Sequence, residues 1–340
     1  AMNSATSALH LACLALGLKK GDILWTSPIT FVASANCAKY CGADVDFVDI
    51  DPNTALISIK ALRTKLEKAK KENSLPKVLI PVHLAGTSCN MEAIAEMSKH
   101  YGFSIIEDAS HAIGGKYKNN PIGCCKYSDI TVFSFHPVKI ITTGEGGLAT
   151  TNNEKLGKKI KKLRNHGLVR EIEDFEYPSP GPWAYEQQEL GFNYRITDIQ
   201  LALGLSQLKR LDEILIERNN LLKQYESLLK GSKANLLEIP FDTYSSVHLA
   251  VILLQDFNPR AHREIFKDLR SSKIGVQLHY SPVHLQPFYR RLGFNEGDYP
   301  EAEKYAKKSI SLPLFPGLTI SNQKKIVNIL NDSLNKRSKL

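Results

Sequence analysis

Lys139 follows an apolar run, Ile130 to Phe135, whose β-branched and aromatic residues read as a buried strand. Pro137 ends the run, a polar turn spans Thr142 to Gly147, and Leu148 to Thr150 re-enters strand. An amine held between two buried strands loses solvation, its pKa falls, and its neutral form is the nucleophile that attacks a carbonyl. A lysine leaving a strand end more commonly extends its charge into water, so position alone admits both readings. Asp108 stands just after a second apolar strand, Phe103 to Ile106, where an aspartate is also common as a turn residue or helix cap. Asn3-Ser-Ala-Thr-Ser7 opens a helix. Unpaired N–H groups there attract an anion, and Thr6 and Ser7 are placed either to contact it or to act as ordinary caps.

The elements that must position these groups alternate. Helices are expected over Thr6 to Leu16, Phe31 to Tyr40, Ile59 to Lys71 and Met91 to Tyr101. Strands are expected over Ile23 to Thr26, Val45 to Ile50, Val78 to Val82 and Phe103 to Ile106. That order predicts an α/β fold, a mostly parallel sheet covered by helices, with sites beyond the carboxyl ends of the strands. Asn153 to His166 reads as a basic helix, Leu168 to Leu190 as a long loop, and Thr197 to Leu229 as a long amphipathic helical stretch that bridges into the second unit. The remainder reads as a smaller α+β unit. Its strands are Val247 to Leu253 and Gly275 to His279, and its helices Arg260 to Ser271, Glu301 to Ser309 and Asn322 to Lys336. The expected division is a large domain over 1–210 and a small C-terminal domain over 211–340.

The chain of 340 residues has room for these two units. No apolar run approaches the roughly 18 residues of a membrane span, so no membrane partner is expected. Six cysteines without a C-x-x-C pair fit reduced thiols in a cytoplasmic protein better than a disulfide frame, and no metal site is expected. The net charge of +9 is concentrated in Lys60 to Lys77 and Lys155 to Arg164. Spaced lysines on helices, without aromatic interleaving, do not point to nucleic acid. A positive field would equally attract an anionic substrate.

Ser134-Phe-His-Pro-Val-Lys139, with Thr142-Thr-Gly-Glu-Gly-Gly147 after it, resembles the pyridoxal-phosphate lysine segment of the DegT/DnrJ sugar aminotransferases. Asn3 to Ala8, Ile29 to Ala33, Glu107-Asp-Ala-Ser-His-Ala112, Gly191-Phe-Asn-Tyr-Arg195 and Ser311 to Gly317 match the same family in the same order. Within it, the likeness is greatest to the pseudaminic-type branch of 4-aminotransferases. The resemblance implies a fold-type I pyridoxal 5'-phosphate enzyme that transfers an amino group from L-glutamate. The acceptor it implies is the C4 ketone of a UDP-linked 4-keto-6-deoxy-N-acetylhexosamine. Family members carry several tens of residues before Asn3-Ser-Ala-Thr, so an N-terminal arm is expected upstream of Ala1.

By the same resemblance, Lys139 is the catalytic lysine and Asp108 the partner of the cofactor's ring nitrogen. Thr6, Ser7 and Ser134 would contact the phosphate, and Phe31 would stack on the ring, a position otherwise read as core. His111 replaces the family's usual glutamine near the ring oxygen, and a core histidine is the alternative. Asn193 would complete the phosphate site of a neighbouring subunit in a homodimer. Arg195 would bind a carboxylate or phosphate, or else form a surface ion pair. His279 and Tyr280, in Gln277-Leu-His-Tyr280, would help choose the sugar, as would the Leu168 to Leu190 loop. A dehydratase of the same fold, a 3-keto aminotransferase and a non-catalytic relative are the rivals. The dehydratases have histidine where Lys139 stands.

Overall fold

The computed structural model describes residues 1–255 and 259–337; residues 256–258 and 338–340 of the expected second domain lie outside them. A parallel sheet forms from β1 (Ile23–Thr26), β2 (Asp44–Phe47), β3 (Val78–Ile80), β4 (Ser104–Asp108) and, after the short ribbon β5 (Lys116–Tyr117) and β6 (Asn120–Pro121), β7 (Ile130–Ser134). The sixth strand, β8 (Gly147–Thr150), closes the order β2-β1-β3-β4-β7-β8 and is the only antiparallel member. Met2 bridges to Gly147 beyond β8. All five residues of β7 are buried, as an apolar run covered on both faces requires.

The flanking helices follow local rules. α1 (Ala5–Ala15) is capped by Ser4, whose hydroxyl accepts from Ser7 N. α2 (Ala33–Tyr40) follows β1. α3 (Ile59–Lys71) starts at Ser58, buries Leu62, Leu66 and Ala69, and keeps lysines in its last turn. α4 (Met91–Tyr101) runs from an Asn90 cap to Gly102, whose φ of 81° suits the left-handed end of a helix. α5 (Glu154–Arg164) buries only Ile160 and Leu163, so its six basic residues lie on the outer side or at its end.

The long loop contains a small ribbon, β9 (Leu168–Val169) paired with β10 (Glu186–Gln187). The helical stretch expected over Thr197 to Leu229 consists of two helices, α6 (Asp198–Leu208) and α7 (Leu211–Leu228). The break at Lys209 and Arg210 has a packing reason. α6 buries no residue and lies so near the 142–146 turn that a Cβ on Gly204 would sit 2.7 Å from Thr143 Cγ2. α7 instead buries Ile214 and Leu215 against Ile140 and Ile141, then Leu221 and Tyr225 in a second core.

That second core is a three-stranded sheet of β11 (Ala234–Leu236), β13 (Ala250–Leu254) and β14 (Ser309–Leu312), with β12 (Thr243–Tyr244) joined instead to the β5 ribbon. It is covered by α8 (Pro259–Ser271) and α11 (Ile320–Arg337). The expected strand Gly275 to His279 reduces to one bridge, Gln277 to Ser311. The chain then returns to the first core through α9 (Pro287–Arg290) and α10 (Pro300–Ala306). Val283, Tyr289, Tyr299, Ala302 and Tyr305 are buried there, Val283 N donates to Pro28 O at 2.9 Å, and Tyr299 Oη donates to Asp46 at 2.6 Å. Residues of the first core therefore come from both before and within the stretch that builds the second, and Tyr280 packs against the first.

Candidate active site

At the carboxyl ends of β4 and β7 lies a cavity of about 280 Å³. Its wall includes Thr6, Phe31, Asp108, His111, Ser134, Lys139 and Tyr280. Among the described residues Lys139 is the only lysine or arginine in that wall.

Lys139 sits in the turn after β7, its N–H bonded to His136 O at 2.9 Å. Burial pushes its amine down to about 8, and the nearby charge of Asp108 opposes that fall. Asp108 is 5% exposed and is held from two sides. Ser34 Oγ donates to one carboxylate oxygen at 2.6 Å, and the N–H of Ser110 donates to the other at 3.0 Å. Thr30 Oγ1 lies 2.8 Å from Ser34 Oγ and completes a buried hydroxyl chain. The carboxylate is thus fixed before anything binds.

The anion cup at α1 differs in detail from expectation. Thr6 lines the cavity, and so do Ser4 and Ala5. Ser7 does not; its hydroxyl donates to Asn3 Oδ1 at 2.6 Å and its N–H to Ser4 Oγ, so it builds the cap behind the wall. Gly147 lets the cup close. A Cβ there would stand 2.4 Å from Ser4 C and O, so any side chain would push α1 away from β8. Ser134 is buried at the end of β7, opening on the same space.

His111 accepts from Ala85 N at Nδ1 (3.3 Å), while its Nε2 lies 3.1 Å from Tyr280 Oη. Burial holds its imidazole well below the ordinary range, and the charge on Lys139 adds to this. His248 lies against it with the rings tilted and their centroids 4.4 Å apart, and burial, then the charges of Lys139 and Arg218, push its imidazole well below the ordinary range too. Tyr280 is pushed up by burial and by Asp108's charge, and its ring stands 6.3 Å from that of Phe31. Phe31 is 59% exposed at the mouth, so it is not a core aromatic.

His279 turns away from the cavity. Its Nδ1 lies 2.8 Å from Ser311 Oγ, its carbonyl accepts from Tyr305 Oη at 2.7 Å, and burial, then Lys139, pushes it down to about 4. Asn193 and Arg195 are exposed and line no part of this chain's cavity; Arg195 donates to Asn165 Oδ1 at 2.7 Å. Sequence reasoning missed Ser4, Ser34, Ser110, His136 and Glu145. His136 and Glu145 also line the cavity, 3.7 Å apart at the nearest side-chain atoms. Ser34 directly follows the Ile29 to Ala33 motif, but nothing in its spacing announces a carboxylate 74 residues away. Among the described residues no group of three or more His, Cys, Asp or Glu could hold a metal ion.

The donor set fits pyridoxal phosphate. It offers a helix N-terminus with hydroxyls for a phosphate, a buried carboxylate for a basic ring nitrogen, and a desolvated amine for an aldehyde.

A family model described as DegT/DnrJ/EryC1/StrS aminotransferase matches residues 1–331. The UDP-4-amino-4,6-dideoxy-N-acetyl-beta-L-altrosamine transaminase of Campylobacter jejuni is 38% identical over 339 residues, 99% of this chain and 86% of that protein. Among solved structures, PseC of Helicobacter pylori, an aminotransferase of pseudaminic acid biosynthesis, superposes with a TM-score of 0.88. It is 31% identical, and the match covers 98% of this chain and 86% of that one. Spr1654 of Streptococcus pneumoniae, solved in PLP and PMP forms, reaches 0.87 in its PLP form at 29% identity, covering 98% and 86%.

Proposed function

We propose that this chain, which belongs to the DegT/DnrJ/EryC1/StrS aminotransferase family, uses pyridoxal 5'-phosphate to move an amino group from L-glutamate to the C4 ketone of a UDP-linked 4-keto-6-deoxy-N-acetylhexosamine. The observation that carries this reading is the meeting of Lys139, Asp108 and the α1 N-terminus around one cavity. The Campylobacter relative, a UDP-4-amino-4,6-dideoxy-N-acetyl-beta-L-altrosamine transaminase, supports the sugar class.

Bound pyridoxal phosphate supplies an aldehyde that holds the amino group and a ring that accepts electrons. Thr6, Ser4 and the first-turn N–H groups of α1 would hold its phosphate, with Ser134 beside them. Asp108, already fixed by Ser34 and Ser110, would keep the ring nitrogen protonated. Lys139 would bind the cofactor covalently and, when released, its Nζ would carry the proton at the reacting carbon. With its pKa near 8 the amine is available as a base near neutral pH. Phe31 and Tyr280 frame the mouth.

The active unit in this reading is a homodimer that shares its sites. α6 exposes Ile199 at 85% and Leu205 at 63%, and Trp183 and Tyr185 of the long loop are similarly open. Apolar surface of that kind suits a second copy. Asn193 and Arg195, exposed in this chain, would enter the partner's cavity, in which Lys139 is the one lysine or arginine among the described wall residues. The six free cysteines suit a reducing, cytoplasmic compartment.

The deciding assay offers L-glutamate with UDP- and dTDP-linked 3-keto and 4-keto sugars. The highest kcat/KM is expected for the UDP-linked 4-keto-6-deoxy-N-acetylhexosamine, and a preference for a 3-keto sugar, or release of a dehydrated sugar, would overturn the assignment. Shared sites are tested by mixing Lys139→Ala chains with Asn193→Ala/Arg195→Ala chains. Activity of about a quarter of wild type per total chain is expected from random exchange between two-fold partners. No recovery after demonstrated exchange refutes sharing.

A further inference from the structure

The hydrogen bonds around His111 have a fixed polarity. A backbone N–H can only donate, so Ala85 N, 3.3 Å from His111 Nδ1, requires that nitrogen to be bare. Burial holds the ring neutral, with Lys139, His248 and His279 as the titratable neighbours. Its single proton therefore lies on Nε2, aimed at Tyr280 Oη 3.1 Å away. The hydroxyl oxygen of Tyr280 is then an acceptor from His111, and its own proton must point elsewhere. Among the described residues Tyr280 Oη has no other protein partner, and the residue lines the cavity beside Lys139.

The loop that carries Ala85 is anchored to keep this polarity. Ala85 has a left-handed φ of 57° and Gly86 a φ of 99°, and a Cβ on Gly86 would stand 2.8 Å from Val247 N. His83 N donates to Asp108 O at 3.0 Å, and His83 Nε2 lies 2.7 Å from the buried carboxylate of Glu107. Ala85 O accepts from His248 N at 2.8 Å. The Ala85 amide is therefore tied to the strand that bears Asp108 and to the segment that enters the small domain.

We propose that Ala85 N–H locks His111 in the Nε2–H form, and that His111 in turn makes Tyr280 a hydrogen-bond donor to an oxygen of the group bound in the cavity. His111 is then a positioning residue and Tyr280 the one that touches the reacting molecule. The acceptor oxygen belongs either to the sugar carbonyl or to the cofactor ring. The catalytic part rests on the transamination reading; the tautomer does not.

The tautomer is tested on cofactor-free protein carrying ¹⁵N-histidine, with the His111 signals assigned by their loss in His111→Gln. A neutral ring with protonated Nε2 and bare Nδ1 is expected; the opposite tautomer or a cation overturns the proposal, whatever the enzyme's substrate. In active protein, Tyr280→Phe is expected to lower kcat by about ten- to a hundredfold with a much smaller change in KM, as loss of an oxygen-directed donor does. A loss confined to the sugar half-reaction assigns the sugar carbonyl, a loss in both halves assigns the cofactor oxygen, and a loss in neither overturns the proposal. Glutamine at position 111 offers the same acceptor and donor pair, so in His111→Gln the Tyr280→Phe effect is expected to persist. A carboxylate there accepts from both neighbours and draws the tyrosine proton away from the cavity. In His111→Glu the additional effect of Tyr280→Phe is expected to vanish, and an undiminished effect refutes the relay.

Discussion

Replacing Lys139 by methionine should make the cofactor-free protein more stable at neutral pH while abolishing its chemistry. The amine sits at about 8 in the folded chain against an ordinary 10.5, because burial disfavours its charged form. At about 1.4 kcal/mol per pH unit, that interval corresponds to a penalty of about 3 kcal/mol wherever the folded amine is protonated. The sign follows from proton counting. Between pH 8 and 10.5 the unfolded chain binds the proton and the folded chain does not, so wild type gains stability as pH rises through that window. Below pH 8 the penalty is fully present, and above 10.5 it is gone. Methionine fills similar space without a charge, so Lys139→Met is expected to exceed wild type by about 1–3 kcal/mol at pH 7. Denaturant unfolding of both proteins without cofactor, at pH 7 and pH 10, measures it, and titrations common to both cancel in the difference. The advantage should shrink at the higher pH. A methionine variant no more stable than wild type at pH 7 would refute the desolvated amine, and with it the reason Lys139 is nucleophilic.

Asp108→Asn should fold and lose most transamination, since an amide cannot hold the ring nitrogen protonated; single-turnover rates with glutamate report the loss, on the order of a few kcal/mol in barrier. Ser34→Ala removes a donor from a buried carboxylate and should cost about 1–3 kcal/mol of stability in denaturant unfolding, with a smaller cost when Asp108 is already asparagine. Gly147→Ala should weaken cofactor affinity by about tenfold or more in a fluorescence titration, because its Cβ would meet Ser4 C and O at 2.4 Å and displace the α1 N-terminus.

Much of this site is legible in the sequence because it hangs on strand ends. Ile130 to Phe135 and Phe103 to Ile106 are apolar runs bounded by turn residues, and the observed strands Ile130–Ser134 and Ser104–Asp108 differ from them by one or two residues at the ends. Helices Ile59–Lys71 and Met91–Tyr101 match to the residue, since Ser58, Asn90 and Gly102 mark their limits. Tertiary choices are not legible. Lys209 and Arg210 break a continuous helical pattern because α6 and α7 answer to different surroundings. His279 and Tyr280 are adjacent, yet one turns to Ser311 and the other to the cavity. Ser7 and Ser4 look interchangeable in a serine-rich helix start, and only the cap geometry puts Ser4 on the wall and Ser7 behind it.

The electrostatics of the cavity also bear on the proposed two-chain assembly. The wall holds one amine near neutrality and the carboxylates of Asp108 and Glu145, and the nearby His111, His248 and His279 are all pushed toward their neutral forms. A bound phosphate would add negative charge to a space with no arginine to meet it. The helix N-terminus contributes about 0.3–1 kcal/mol in exposed settings and up to about 2 when partly buried, and the hydroxyls add neutral hydrogen bonds of about 1 kcal/mol each. Such donors orient a phosphate without lowering the pKa of Lys139 further, which a cation beside it would do. A cation is still needed for the carboxylates of glutamate or the diphosphate of the sugar, and it must stand away from the amine. Arg195, exposed and donating to Asn165 Oδ1, would meet that need from the second chain of the proposed dimer. In that assembly the cation that meets the substrate would come from the partner, while the fall of Lys139 to about 8 has burial within its own chain as its cause.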